Sequence, residues 1–159
     1  MKIRTAAKAL IVQDKKLLVL ECKESLDPTH NTFLVLPGGG QHHSEPLEQT
    51  LRRECQEEIN VDVEVKDLMF IREYIGKNHF LAVEHADIHQ VEFFFLCTIR
   101  SGQPAIGHTP DIDQIGVQWI ALDALESCNF YPQAARKTLA TLLSGEHVLP
   151  HPVYLGDID

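Results

Sequence analysis

The chain has 159 residues, of which 44% are hydrophobic and 23% are charged, and its formal net charge at pH 7 is −9. This length and composition favour one globular domain with a sizeable core and argue against a disordered chain. The excess of acidic residues, with no run of Lys or Arg to offset it, argues against binding to DNA, RNA or an anionic membrane.

Cysteine spacing and hydropathy indicate the compartment. The four cysteines are far apart in sequence, and none forms a CxxC pair. The apolar run near the start is short and broken by Lys8, so it does not resemble a signal peptide. No apolar stretch reaches the length that a membrane-spanning helix needs. We therefore expect a cytoplasmic protein with reduced thiols and no membrane partner, and we leave a homodimer open.

The first part of the chain predicts three strands and one helix. Two apolar runs, 7–13 and 16–23, are separated by the polar sequence DKK and predict two strands joined by a turn. A loop at 24–32 leads to a short strand at 33–36, which runs into the sequence PGGG. The pattern over 45–59 is helical.

The remainder of the chain predicts further strands and a closing helix. We expect one or two strands at 61–75, a buried strand at 91–99 and another strand at 116–122. The segment 131–145 predicts a helix, with a proline in its first turn and a glycine after its last. This mixture predicts an α/β or α+β fold in which helices pack on a sheet.

The helix over 45–59 carries a cluster of like charges. Its core-facing stripe is expected to be Leu47, Leu51, Cys55 and Ile59. Beside this stripe lie Glu54, Glu57 and Glu58, at spacings where like charges on a helix repel each other. Glu58 is at the apolar edge, where a lower dielectric strengthens the repulsion. At this point two interpretations stay open: a solvated acidic face beside two arginines, or a site for a hard cation such as Mg²⁺.

A longer pattern, LPGGGQHHSEPLEQTLRRECQEEINV, begins before this helix. Its fixed positions are Gly39, Glu45, Arg53, Glu54, Glu57 and Glu58. The spacing resembles the Nudix box, Gly-x5-Glu-x7-Arg-Glu-U-x-Glu-Glu-x-Gly-U, where U is apolar. One position departs from the box, because Asn60 stands where the family has Gly. Asn is the usual substitute for Gly at the positive φ that often ends a helix, so we expect the geometry to be preserved.

The resemblance implies a fold, a reaction and a cofactor. It implies a Nudix-like α/β/α sandwich with a mixed β-sheet between helices, as a single domain over 1–159 in which 146–159 is a C-terminal tail. Family members hydrolyse the pyrophosphate bond of a nucleoside diphosphate linked to another group, with Mg²⁺ or Mn²⁺. We therefore expect a small-molecule nucleotide-diphosphate substrate. The alternatives are a non-nucleotide diphosphate and a non-catalytic Nudix-fold ligand sensor.

The resemblance also implies roles for single residues. By match to the box, the metal ligands are Glu54, Glu57 and Glu58. Glu57 is expected to be the most sensitive ligand and a candidate general base, and Arg53 is expected to hold the carboxylates by charge-assisted bonds. A main-chain carbonyl within 38–40 would complete the coordination. Glu45 would order the junction between the loop and the helix.

Three loops carry further candidates. His42 and Ser44 stand where many family members have Glu and Gly; they alter the loop, add weak metal affinity, or are exposed without a role. In several members the base is a later acidic residue, and we favour Asp113 over Asp111, with a turn-forming Asp as the other interpretation.

The segment 76–90 carries several metal-ligating or polar side chains, namely His79, Glu84, His85, Asp87 and His89. It is predicted to be a second metal site, a wall of the substrate pocket or an ordinary polar loop. Candidates to stack on a base are Phe80, Tyr131 and Tyr74, with core packing as the favoured interpretation for Tyr74.

Overall fold

The computed structural model describes residues 2–23, 31–79, 85–145 and 152–159. Within these ranges the chain forms seven strands and two α-helices. The strands are β1 (Arg4–Gln13), β2 (Lys16–Lys23), β3 (Thr32–Val35), β4 (Val61–Ile75), β5 (His89–Gly102), β6 (Gln114–Ala121) and β7 (Tyr154–Asp157). The helices are α1 (Leu47–Ile59) and α2 (Arg136–Leu143). No helix within these ranges is long and apolar enough to cross a membrane.

The sheet is mixed, as expected. Its strand order is β3-β2-β1-β5-β4-β7, and β6 pairs with β2. β1 runs parallel to β5, whereas β4 and β5 are antiparallel and shift register in three places. The predicted turn between the first two strands contains Asp14 and Lys15, both at positive φ, which suits a tight hairpin turn. The segment 61–75 is one continuous strand, β4.

Alternating residues of the strands feed two separate cores, one on each face of the sheet. Ala7, Ala9 and Ile11 of β1 pack with the apolar stripe of α1, which includes Leu51 and Cys55. The alternate residues of the strands pack with α2 on the other face, where Leu10 and Leu139 belong to the same core. The stacked rings of Phe70 and Phe94 lie in this core with their centroids 4.2 Å apart. Helices on both faces of a mixed sheet confirm the α/β/α arrangement.

Two elements differ from the sequence-based expectation. The closing helix is shorter than 131–145, because the chain after Pro132 first forms a tighter 3-10 turn, in which Ala135 N donates to Pro132 O at 3.2 Å. The α-helix begins only at Arg136. In the predicted tail, 154–157 forms strand β7, which pairs in parallel with β4. This strand is short and contains a glycine, so its own sequence gives little strand signal. The single-domain organisation stays a prediction.

Candidate active site

The most buried charged group of the cluster is Glu58. Its residue is only 1% exposed, and its Oε2 accepts a hydrogen bond of 2.7 Å from Gly38 N. Its other oxygen, Oε1, has no hydrogen-bond partner among the described residues. Burial raises the pKa of Glu58 to about 8, against the opposing effects of Lys8 and the Gly38 amide. A buried, ionised carboxylate with an oxygen that accepts no hydrogen bond is energetically costly unless it binds a proton or a cation.

Arg53 links the other two carboxylates of the cluster. Its Nη1 donates to Glu54 Oε1 at 2.7 Å and to Glu57 Oε2 at 3.2 Å. Its Nη2 donates to Gly40 O at 3.0 Å, which ties the helix to the preceding loop. The guanidinium therefore holds Glu54 and Glu57 as the box pattern implied, while a catalytic role for Arg53 stays a prediction.

Glu45 anchors the start of the helix. Its carboxylate forms two hydrogen bonds with Arg53, of 2.9 and 3.1 Å, and accepts further bonds from His42 N and Thr50 Oγ1. These donors, led by Arg53, lower the pKa of Glu45 to about 2. Glu45 is buried, so this network fixes the junction between the loop and α1, which begins after Pro46.

The glycine loop lies directly against the carboxylates. It runs along β1, where Ala7 N donates to Gly39 O at 3.0 Å and Ala9 N donates to Pro37 O at 2.8 Å. A Cβ added to Gly39 would lie 2.7 Å from the carboxylate of Glu54, so a side chain there would push that carboxylate out of its present position. The backbone of the loop is thus within reach of a ligand held by the glutamates.

The end of α1 is capped by a distant segment that the sequence did not reveal. The helix ends at Asn60, whose φ of 59° confirms the expected left-handed conformation. Beyond it, Gly107 N donates to Glu58 O at 3.0 Å and Thr109 N donates to Glu57 O at 3.1 Å. A Cβ on Gly107 would meet Glu57 O at 2.0 Å. These bonds satisfy carbonyls that a helix end leaves open, and they bring the 108–114 loop to the cluster.

The two aspartates of that loop lie in different places. The negative charge of Asp111, which is exposed, contributes to the raised pKa of Glu58. Asp113 is half-buried and lines a pocket described below, and its carbonyl accepts a 2.9 Å bond from Lys23 N. Asp113 therefore lies on the pocket side, and its role as base stays a prediction.

The three glutamates of the cluster do not all bond the same partner. Among the described residues no group of three or more His, Cys, Asp or Glu side chains is arranged to hold a metal ion. Glu54 and Glu57 point to Arg53, whereas Glu58 points to Gly38. The donor set nevertheless suits a hard cation, because it consists of carboxylate and carbonyl oxygens and includes the partnerless Oε1 of Glu58. The residues fit such an ion if the side chains of Glu54 and Glu57 rotate.

A pocket of about 460 Å³ lies beside the glycine loop. Arg4 joins the two, because it lines the pocket and its Nη2 lies 3.1 Å from the Cβ position of Gly40. The pocket walls include three aromatic side chains, Phe33, Tyr74 and Tyr131. Phe33 and Tyr131 meet edge to face, with centroids 6.1 Å apart. The size and the mixture of aromatic and polar walls are typical of a small-molecule site.

The histidine-bearing segments form no metal cluster within the described residues. His85 lines the pocket and bonds the hydroxyl of Tyr74 at 2.7 Å, whereas His79 and His89 bond the carboxylates of Asp157 and Glu73. The predicted candidates at 80 and 84 lie outside the described residues. In the 41–44 loop, His42 is exposed and Ser44 has φ of 65°. Ser44 thus takes the backbone conformation that favours the glycine found there in many family members.

The comparison with protein families decides the assignment. A family model described as NUDIX domain matches residues 2–142. The chain belongs to the Nudix family. This confirms the resemblance of the box and identifies the protein as a Nudix hydrolase. The family match ends before β7, so the strand that pairs with β4 lies outside it. No curated protein matches the chain.

Solved structures share the fold. A MutT Nudix hydrolase from Burkholderia pseudomallei is 26% identical, with a TM-score of 0.66 over 88% of this chain and 97% of that one. An ADP-ribose pyrophosphatase from Streptococcus suis is 18% identical, with a TM-score of 0.62 over 97% of this chain and 98% of that one. A UDP-X diphosphatase is also 18% identical, with a TM-score of 0.70 over 99% of this chain and 68% of that one. The last two likenesses are evidence for the fold alone.

Proposed function

We propose that this Nudix hydrolase cleaves the pyrophosphate bond of a nucleoside diphosphate linked to another group, with a divalent cation. The observation that carries the proposal is Glu58, buried with one partnerless oxygen and adjacent on α1 to two further carboxylates. Isolated buried charge is costly, and three carboxylates near one glycine loop suit a cation that also binds phosphate.

The proposed cofactor is Mg²⁺ or Mn²⁺, held by Glu54, Glu57 and Glu58 with a carbonyl from residues 38–40. When bound, such an ion neutralises phosphate charge and lowers the pKa of a bound water. Gly38 N orients Glu58 by its hydrogen bond, and Arg53 orients Glu54 and Glu57. These contacts reduce the reorganisation that the carboxylates would otherwise undergo during the reaction.

Glu57 is our candidate for the group that accepts the proton from the attacking water. Its side chain is 30% exposed, so its carboxylate is open to solvent, whereas that of Glu58 is enclosed. Asp113 is the second candidate, because it lines the pocket in which the substrate would lie. A proton acceptor must reach the attacking water in the bound complex, so substitution of each residue is the way to separate them.

The pocket supports a nucleotide as the linked group. Its volume of about 460 Å³ is within the range of small-molecule sites. Tyr131 and Phe33 offer rings against which a base could stack, and the Arg72–Glu92 pair, 2.6 Å apart, supplies polar atoms in the wall. The similar structures named for ADP-ribose and UDP-X substrates guide the choice of compounds to test. A cytoplasmic location also stays a proposal, supported by four free cysteines.

The experiment is a turnover screen of the wild type with Mg²⁺, Mn²⁺ or EDTA. The panel contains nucleoside triphosphates, ADP-ribose, sugar nucleotides, dinucleoside polyphosphates, capped RNA and a non-nucleotide diphosphate. Products are assigned by ³¹P NMR, which shows which phosphoanhydride bond breaks. We expect metal-dependent cleavage of at least one nucleotide compound. Cleavage of the non-nucleotide compound alone would favour the alternative substrate class, and cleavage unaffected by EDTA would contradict a metal site.

A further inference from the structure

Lys8 lies on the strand that separates the pocket from the glutamates. Its neighbours Ala7 and Ala9 face α1, so the side chain of Lys8 projects from the opposite face of β1. In the parallel pairing of β1 with β5, Lys8 is opposite Phe94 and Ala6 is opposite Glu92. Lys8 and Glu92 are therefore on the same face of the sheet, and Glu92 lines the pocket.

Lys8 is half-buried and forms no ion pair with another described residue. Its Nζ donates a hydrogen bond to Gly38 O. None of the ion pairs formed within the described residues includes Lys8, whereas Arg52, Arg53 and Arg72 each contact a carboxylate. Although the net charge of the chain is −9, no carboxylate of the described residues forms an ion pair with this half-buried cation. An ammonium group has three donors, so two remain after the bond to Gly38.

The peptide of Gly38 connects Lys8 to the glutamate cluster. Its carbonyl accepts from Lys8, and its amide donates to Glu58 at 2.7 Å. The Gly38 peptide thus links Lys8 to Glu58 of the cluster, and Lys8 shares a face of the sheet with Glu92 of the pocket wall.

We propose that Lys8 binds a phosphate oxygen of the substrate. This inference rests on the proposed function, in which the linked nucleotide lies in the pocket and the pyrophosphate group lies at the glutamates. Lys8 bonds Gly38 beside the glutamates and shares a sheet face with Glu92 of the pocket wall, and its ammonium donors not bonded to Gly38 suit the oxygens of a diphosphate. The role is substrate binding, and it adds a cation on the side of the phosphates opposite to the carboxylate cluster.

The direct test is binding of imidodiphosphate, whose P–N–P bridge resists hydrolysis, to the Mg²⁺-loaded protein by calorimetry. Lys8→Met should weaken binding at least about tenfold, because it removes a charge-assisted hydrogen bond. Lys8→Arg should stay within about threefold of the wild type, because it keeps the charge. Lys16→Met is the matched control, since Lys16 is an exposed cation on the next strand, and it should bind as the wild type does.

Equal binding by Lys8→Met and the wild type would overturn the proposal and leave Lys8 as a structural brace of the glycine loop. If Lys8→Met does not fold, the ¹⁵N resonance of Lys8 Nζ in the wild type, assigned by comparison with Lys8→Arg, replaces it. That resonance should shift on addition of imidodiphosphate, and an unchanged resonance would equally overturn the proposal. Binding is measured without turnover, so the two proposals can fail separately. If no compound of the screen is cleaved but Lys8→Met weakens binding, only the proposed reaction is contradicted. If a compound is cleaved but Lys8→Met binds as the wild type does, only the role of Lys8 is contradicted.

Discussion

Replacing Glu58 by Gln removes a buried negative charge while it keeps the shape of the side chain. The pKa of Glu58 is raised from 4.5 to about 8 by burial, so the folded protein binds a proton at this carboxyl more tightly than the unfolded chain does. The stabilisation by that proton is complete below pH 4.5 and is lost as the pH rises to about 8. At about 1.4 kcal/mol per pKa unit, ionised Glu58 costs the fold up to about 5 kcal/mol.

We therefore expect Glu58→Gln to be more stable than the wild type in EDTA by about 2–4 kcal/mol at pH 8 and by less than about 1 kcal/mol at pH 4.5. The expected gain in stability lies below the upper limit of about 5 kcal/mol, because relaxation of the protein and penetration of water reduce the free-energy cost of a buried charge. Mg²⁺ at about ten times its dissociation constant should stabilise the wild type by about 1.4 kcal/mol and the variant by less. The assay is urea unfolding at constant ionic strength.

The matched control is Glu48→Gln, an identical change at an exposed position of the same helix. It should show no gain in stability that grows between pH 4.5 and pH 8. If Glu58→Gln is less stable than the wild type at every pH in EDTA, and both proteins respond equally to Mg²⁺, the reasoning is refuted. The cluster would then be an acidic face that Arg53 neutralises.

Substitutions at three further positions test the supports of the site by urea unfolding. Asn60→Gly should leave the stability unchanged, because glycine adopts the φ of 59° at this position easily. Asn60→Val should lower the free energy of unfolding by about 1–2 kcal/mol, because a β-branched residue is strained at that φ. An unchanged stability of Asn60→Val would contradict this reasoning. Gly107→Ala should cost at least about 1 kcal/mol, because its Cβ would meet Glu57 O at 2.0 Å, and an unchanged stability would show that the cap is absent. Glu45→Gln should cost about 1–3 kcal/mol at pH 7. Since the pKa of Glu45 is lowered from 4.5 to about 2, its contribution is lost as the pH falls through 2, and a cost that persists there would refute the assignment.

Local sequence patterns predicted much of the site because its main parts lie within one short segment. The periodicity of α1 placed Glu58 at the edge of the apolar stripe, and the structure buries it. The substitution of Gly by Asn at position 60 predicted a positive φ, and the helix ends there with φ of 59°. Both features depend on residues that are close in sequence, so the helix repeat and one backbone preference were sufficient.

Local sequence patterns did not predict the contacts between segments that are far apart in the chain. The cap from Gly107 and Thr109 joins residues about fifty positions from α1, and its only sequence signal is a glycine in a loop. In the sequence Lys8 interrupts an apolar run, and its bond to Gly38 depends on how the strand and the glycine loop lie side by side in the fold. Strand β7 forms because β4 offers it an edge, which no local pattern reports. Tertiary pairing decides such short or weak elements.

The central claim is tested most directly by the turnover of Glu57→Gln. On the best substrate from the screen, with saturating Mg²⁺, its kcat should fall at least about 10²-fold, because the change removes charge from the proposed metal site and a candidate base. Circular dichroism should show an intact fold, and Glu48→Gln should keep the wild-type kcat. Near-normal turnover by a folded Glu57→Gln protein would contradict the account, because it would mean that the glutamates of α1 are not where the reaction occurs.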